Sequence, residues 1–282
     1  GDSALPTVHL TERRLIEIGG KEATGFLERL VTADVEGLGE GKAVACALLT
    51  PQGKILFDFV ISKTGSTFLV DIRADQVADF IRRLTLYRLR AKVTFDEKSD
   101  IGVYAIWNEE GDEAGVTDTR FPEEAKVARA YGDLTADASL ADWNTLRIGH
   151  GVAESGSDYE LSDAFPHDVL MDLNAGVDFS KGCFVGQEVV SRMKHRKTAR
   201  RRVAIVAGEA PLPASSTSIE ADGKPVGTLG TVEGDKALAI VRIDRVADAL
   251  AENLAITADG VSVSLSLPEW SGLTFEAQSG GN

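Results

Sequence analysis

Two short apolar runs a few residues apart constrain this fold more than any other stretch of the chain. Residues 43 to 49 (Ala-Val-Ala-Cys-Ala-Leu-Leu) and 55 to 61 (Ile-Leu-Phe-Asp-Phe-Val-Ile) flank Pro51-Gln52-Gly53. Each run is too short for an ordinary helix, and the turn residues between them read as strand, turn and strand. A third strand, Thr67 to Ile72, follows Thr64-Gly65-Ser66. Upstream, an extended segment from Val8 to Ile18 leads into Ala23, Phe26, Leu27, Leu30 and Val31, which recur at helical spacing. Downstream, Val77, Phe80, Ile81 and Leu84 mark a helix that turns Arg82 and Arg83 to water. Strands around Ala91 to Phe95 and Ile101 to Trp107 precede an acidic surface connection, Asn108 to Gly115. Helical spacing returns at Leu140, Trp143, Leu146 and Arg147, with Gly149 and Gly151 as stops. Hairpins mixed with crossovers predict an α+β fold rather than a doubly wound parallel sheet.

The chain changes character near residue 200. Short β-rich runs (Val203 to Val206, Ser218 to Glu220, Val226 to Val232, Ala237 to Ile243, Val261 to Leu267) alternate there with Gly, Pro and Asp turns. This spacing predicts a small all-β barrel or sandwich. The expected division is a mixed body over residues 1–200 and a β unit over 201–282.

Composition narrows the function. With 282 residues, 43% of them hydrophobic, the chain can bury a substantial core. It has no long apolar run and no basic-then-apolar leader pattern, so no membrane partner is expected and a cytoplasmic location is. A formal charge of −14 argues against a general nucleic-acid binder. One basic stretch runs the other way: Arg192, Lys194, His195, Arg196, Lys197, Arg200, Arg201 and Arg202. It reads either as a solvated rim or as an anion pocket for a polyglutamate tail, a phosphate or an RNA backbone. Dinucleotide, P-loop and nucleophile-elbow motifs are absent from the sequence. The two cysteines, Cys46 and Cys183, lie too far apart for metal-ligand spacing, so no resident metal site is expected.

Residues 181 to 188, Lys-Gly-Cys-Phe-Val-Gly-Gln-Glu, carry the most reactive-looking group. Gly182 and Gly186 permit a tight loop around Cys183. An ammonium at Lys181 would favour the thiolate, while Gln187 and Glu188 would orient the loop. Two readings compete with this one. Cys183 is a small buried apolar residue, or Glu188 neutralises Lys181 and leaves the thiol ordinary.

With Val189-Val190-Ser191-Arg192 after it, this octapeptide resembles the signature of the YgfZ-type folate-binding proteins, relatives of the glycine-cleavage T protein. The resemblance extends to Val31-Thr32-Ala33-Asp34-Val35, to Pro51-Gln52-Gly53-Lys54 and to Trp143 with Leu146-Arg147-Ile148. It implies two intertwined α+β halves around a central channel that holds tetrahydrofolate, followed by a C-terminal β-barrel. It implies a role in iron–sulfur cluster assembly or repair, with clients or assembly proteins as partners and tRNA-thiolating enzymes among those served. Conventional turnover is not expected; the alternative is a folate-dependent aminomethyltransferase. Carried onto this chain, the resemblance assigns folate contacts to Trp143, Asp58, Asp168, Arg147 and Tyr87. A second clamp tryptophan of some relatives aligns near Arg13. Where the aminomethyltransferases have two adjacent acids, this chain has Phe57-Asp58, which weakens the transferase reading.

Overall fold

The computed structural model describes residues 6–107 and 115–276. The predicted acidic connection at Asn108 to Gly115 lies almost wholly outside the described residues.

The body is built on one nine-stranded sheet. In chain order its elements are β1 (Thr7–His9), β2 (Arg13–Gly19), α1 (Ala23–Leu30), β3 (Lys42–Leu49), β4 (Ile55–Thr64), β5 (Thr67–Arg73), α2 (Val77–Arg88), β6 (Thr94–Lys98), β7 (Gly102–Trp107), β8 (Val116–Asp118), β9 (Val127–Gly132), α3 (Leu140–His150) and α4 (Gln187–Arg196). The strand order is β1-β7-β9-β8-β3-β4-β5-β2-β6. All pairings are antiparallel except β3 with β8, and that parallel contact joins the two halves. The halves are intertwined because consecutive strands separate: β1 pairs with β7, whereas β2 pairs with β5 and β6.

The predicted hairpin is β3–β4, in register from Val44 opposite Ile61 to Leu48 opposite Phe57, with a shift before Leu49 opposite Ile55. Its turn closes through Thr50 N to Lys54 O (2.8 Å) and Gly53 N to Thr50 O (2.9 Å). Strand alternation divides β4 by face. Phe57, Phe59 and Ile61 pack with Phe26, Leu27, Phe80 and Leu84 of α1 and α2. Asp58 therefore lies on the opposite face, towards the interior of the body and not towards solvent. α3 starts at a capping box, in which Ser139 Oγ accepts from Asp142 N (3.1 Å) and Asp142 Oδ2 accepts from Ser139 N (2.9 Å). Gly149 stays inside this helix, and Gly151, at φ 71°, ends it.

The β unit is a closed six-stranded barrel: β10 (Arg201–Gly208), β11 (Ser218–Ala221), β12 (Lys224–Glu233), β13 (Lys236–Arg242), β14 (Ile256–Ala258) and β15 (Val261–Ser266). A helix that the sequence reading did not anticipate, α5 (Ile243–Ala251), buries Val246, Ala247 and Ala249 against it. Closure removes the free edges such a short sheet would otherwise expose. The barrel shares an apolar core with the body, where Val203 and Leu238 meet Ile148, Leu170 and Val190. After β15 the chain returns to the body as a strap. Pro268 packs on Gly151, and Trp270 Nε1 donates to His150 O (2.7 Å).

Candidate functional site

Two segments far from Cys183 in sequence support its loop. The stretch 31–35 follows α1, and its Thr32 Oγ1 donates to Gly176 O (2.7 Å) while accepting from Ala47 N (3.0 Å). Asp178 N donates to Thr32 O (2.8 Å), which fixes the entry to the loop. The β3–β4 turn supplies the second support. Gly186 has φ 81°, and a Cβ there would stand 2.7 Å from Thr50 O and 3.2 Å from Gly53 Cα. Glycine is needed because the loop backbone rests directly on the turn backbone. The close approach that the sequence suggested is thus made to the hairpin. Gly182 is different: a Cβ there would meet nothing within 4 Å.

The Lys181 side chain is engaged with the body. It is almost wholly buried, and Nζ donates to Ala33 O (2.6 Å) and pairs with Glu28 (3.6 Å). It acts as a rivet between loop and body, and its charge also reaches the buried Cys46. Burial pushes the Cys46 thiol up to about 11, with the Ala33 backbone, Lys181 and Thr32 drawing it partly back. Cys183 is exposed, so the small-buried-residue alternative is ruled out, whereas Cys46 is buried. Gln187 Nε2 donates to the carbonyls of Lys181 (3.3 Å) and Gly182 (3.2 Å) and so holds the loop from its far side. Glu188 is exposed in the first turn of α4 and Lys181 takes Glu28 as its partner. The loop reading therefore needs correction at its end, since the octapeptide becomes helical at Gln187. α4 carries much of the basic stretch, exposed at Arg192, Lys194, His195 and Arg196. A groove of about 670 Å³ runs beside it, lined by Asp34, Asp178, Phe179, Ser180, Lys194 and His195.

The residues assigned to folate do not all share one cavity. Asp58 lines a cavity of about 30 Å³ with Arg13, Tyr159 and Trp270. Its carboxylate accepts from Ser155 Oγ and from Ser155 N (3.2 Å). Tyr159 also bonds to it, and burial together with that carboxylate holds the phenol well above its ordinary range. Trp143 is 1% exposed and packs among Trp107, Phe121 and the Arg129 guanidinium. Arg147 fastens the body to the barrel: Nη1 donates to Asp158 Oδ2 and Val152 O (both 2.9 Å), and Nη2 to Thr231 Oγ1 (3.0 Å). Trp143 and Arg147 share the wall of a second cavity of about 110 Å³. Asp168 is turned towards the barrel, where Arg201 Nη2 donates to it at 2.9 Å. Burial raises its carboxyl and Arg201 opposes the rise. Tyr87 packs on the far side of the sheet with the α1–α2 core.

Pockets that enclose ligands of folate size hold about 300–1,000 Å³. The Asp58 cavity holds about one water. Tetrahydrofolate therefore does not fit the residues assigned to it in this conformation, and no chemistry is derived through it.

Sequence reading missed the groups that organise the interior. Asp71 accepts from Arg13 Nε (2.7 Å), Arg129 Nε (2.8 Å) and Tyr131 Oη (3.0 Å), all buried or nearly so. Burial pushes Glu154 up, but Arg147, Arg13, Arg120 and Arg129 outweigh it and hold that carboxyl well below the usual range. The available signal was a charged residue at an inward position of an apolar strand, as in Phe68-Leu69-Val70-Asp71-Ile72. Among the described residues, no group of three or more His, Cys, Asp or Glu side chains is placed to hold a metal.

Comparison with known proteins adds a family context. Residues 200–273 match the model for the CAF17 C-terminal β-barrel domain. The iron–sulfur cluster assembly factor IBA57 homolog, mitochondrial, of Coccidioides immitis is 30% identical over 252 residues, 75% of this chain and 59% of that protein. The Neurospora crassa homolog is 28% identical over 229 residues, 69% of this chain and 52% of that protein. The mouse assembly factor IBA57, mitochondrial, is 25% identical and covers 93% of this chain and 84% of its own length. The chain thus spans little more than half the length of the two fungal relatives. Among solved structures, the glycine cleavage system aminomethyltransferase T of Bartonella henselae superposes with a TM-score of 0.72 at 16% identity, over 97% of this chain and 87% of that one. The chain has that aminomethyltransferase fold with a CAF17-type barrel, and its curated homologues are IBA57-type iron–sulfur cluster assembly factors. One expectation is overturned: these relatives are named mitochondrial, against the cytoplasmic location inferred above. The lack of a long apolar run never distinguished the two compartments.

Proposed function

We propose that this relative of the IBA57-type assembly factors acts in the assembly or repair of iron–sulfur clusters in the mitochondrion, offering Cys183 as a ligand to a cluster held by a partner protein. One observation carries the reading: Cys183 is an exposed thiol on a loop that two separate segments, the 31–35 stretch and the β3–β4 turn, hold in place. Clusters are usually bound by four cysteine thiolates. This chain brings one exposed cysteine, so the partner supplies the remaining ligands and the cluster is cargo. The groove beside α4 lies next to the loop and gives the partner a seat of mixed charge, with Asp34, Asp172 and Asp178 facing Lys194. Enzymes that thiolate tRNA are proposed as clients.

The test is rescue of a cluster-dependent enzyme in a strain lacking the protein. Cys183→Ala should fail to restore that activity while folding normally, and Cys46→Ala should restore it if it folds. Full rescue by Cys183→Ala would remove the thiol from the mechanism. The transferase alternative is not favoured by the site. Asp58 is already engaged by Ser155 and Tyr159, and Phe57 packs on the opposite face of the sheet.

A further inference from the structure

Arg13 lines both of two interior cavities. It lines the cavity that contains Asp58, Tyr159 and Trp270, and also the one that contains Trp143, Arg147 and Glu154. The first holds about 30 Å³ and the second about 110 Å³. A ligand touching both Asp58 and Trp143 would have to pass the Arg13 side chain. That side chain is held at two points, by Nε to Asp71 Oδ1 (2.7 Å) and by Nη2 to Asp71 O (2.6 Å). Asp71 is held in turn by Arg129 and Tyr131, so the guanidinium cannot swing away without breaking a buried network.

We infer that Arg13 is a plug, which keeps the two cavities apart and excludes tetrahydrofolate from the interior that Asp58 and Trp143 line. Three further features agree with it. Asp58 has its oxygens occupied by Ser155 and Tyr159. Trp270 of the strap helps wall in the smaller cavity. Both volumes fall below those that enclose a ligand of this size. The inference is independent of the role proposed for Cys183, which sits on the loop outside these cavities.

Tetrahydrofolate, kept reduced, is titrated into the full chain while tryptophan fluorescence is followed, since Trp143 and Trp270 each line one cavity. The wild type should give no saturable change across the micromolar to millimolar range. Arg13→Ala should give a saturable one within that range. Removing Arg13 leaves Asp71 with one cation fewer, so Arg13→Gln, shorter but still able to donate to Asp71, serves if the alanine variant does not fold. Saturable binding by the wild type overturns the inference. So does the lack of binding by a variant whose cooperative melting shows that it is folded.

Discussion

The centre of the body and the Cys183 loop handle polar groups in opposite ways. At the centre, Arg13, Arg129 and Tyr131 surround Asp71, the pairs are buried, and little space is left over. At the loop, backbone and lysine are fixed from below while the thiol is left in solvent. A buried ion network is costly to form and costlier to break, so its contents are tied to the fold. An exposed thiol on a fixed loop changes little in stability when removed, so its presence points to contact with something outside the chain. The family resemblance located chemistry in both regions; the geometry favours the second.

The comparison is broken most sharply at Asp71. Asp71→Asn strips the counter-charge from Arg13 and Arg129 and should cost about 3–5 kcal/mol, read as a fall in the urea midpoint. A loss below about 1 kcal/mol would mean that the network is not what holds the centre. Acid should act in the same direction. Asp71 and Glu154 have depressed carboxyls, so their stabilisation is complete above the ordinary carboxylate range, near pH 4, and is lost as pH falls through their folded values. Asp168 is raised and works the other way: its contribution is present in acid and lost as pH climbs through its folded value. Melting temperature followed from pH 7 downward should therefore drop below about pH 4, and Asp71→Asn should flatten that drop.

Smaller effects are expected at the loop. Gly186→Ala forces a side chain into left-handed backbone against Thr50 O and should cost about 1–3 kcal/mol. Most of that cost should appear as loss of order in the loop, measurable by amide exchange at 182–186. Cys183→Ala should change stability by no more than about 0.5 kcal/mol. In the native protein iodoacetamide should label Cys183 and leave Cys46 untouched until denaturant is added, as peptide mass spectra would reveal; labelling of Cys46 first would reverse the assignment of the accessible thiol.

Local periodicity made much of the fold legible. The hairpin, α1, α2 and α3 announce themselves through apolar spacing that matches one buried face. α4 did not, because Val190 is its only buried residue and its first turn lies within a glycine-bounded motif read as a loop. α5 was hidden because Ile243 continues the apolar run of β13. Within the site, the Cys183 loop was visible from its glycines and from Gln187. The role of Lys181 was not, since its partner Ala33 lies 148 residues away. The partners of Arg147 and Asp168 were hidden for the same reason: each meets a barrel residue, Thr231 or Arg201, that no local pattern connects to it.

The strap after β15 bears on how such a barrel can be passed between proteins. Pro268 and Trp270 close on Gly151 and His150 at the end of α3, and the barrel-family match runs through this segment to residue 273. In this chain the matched barrel segment thus carries its own latch. A chimera that joins this barrel to another body must offer a helix end shaped to receive Pro268 and a free carbonyl for the Trp270 indole. Without those, the graft keeps its six strands and loses its fixed orientation.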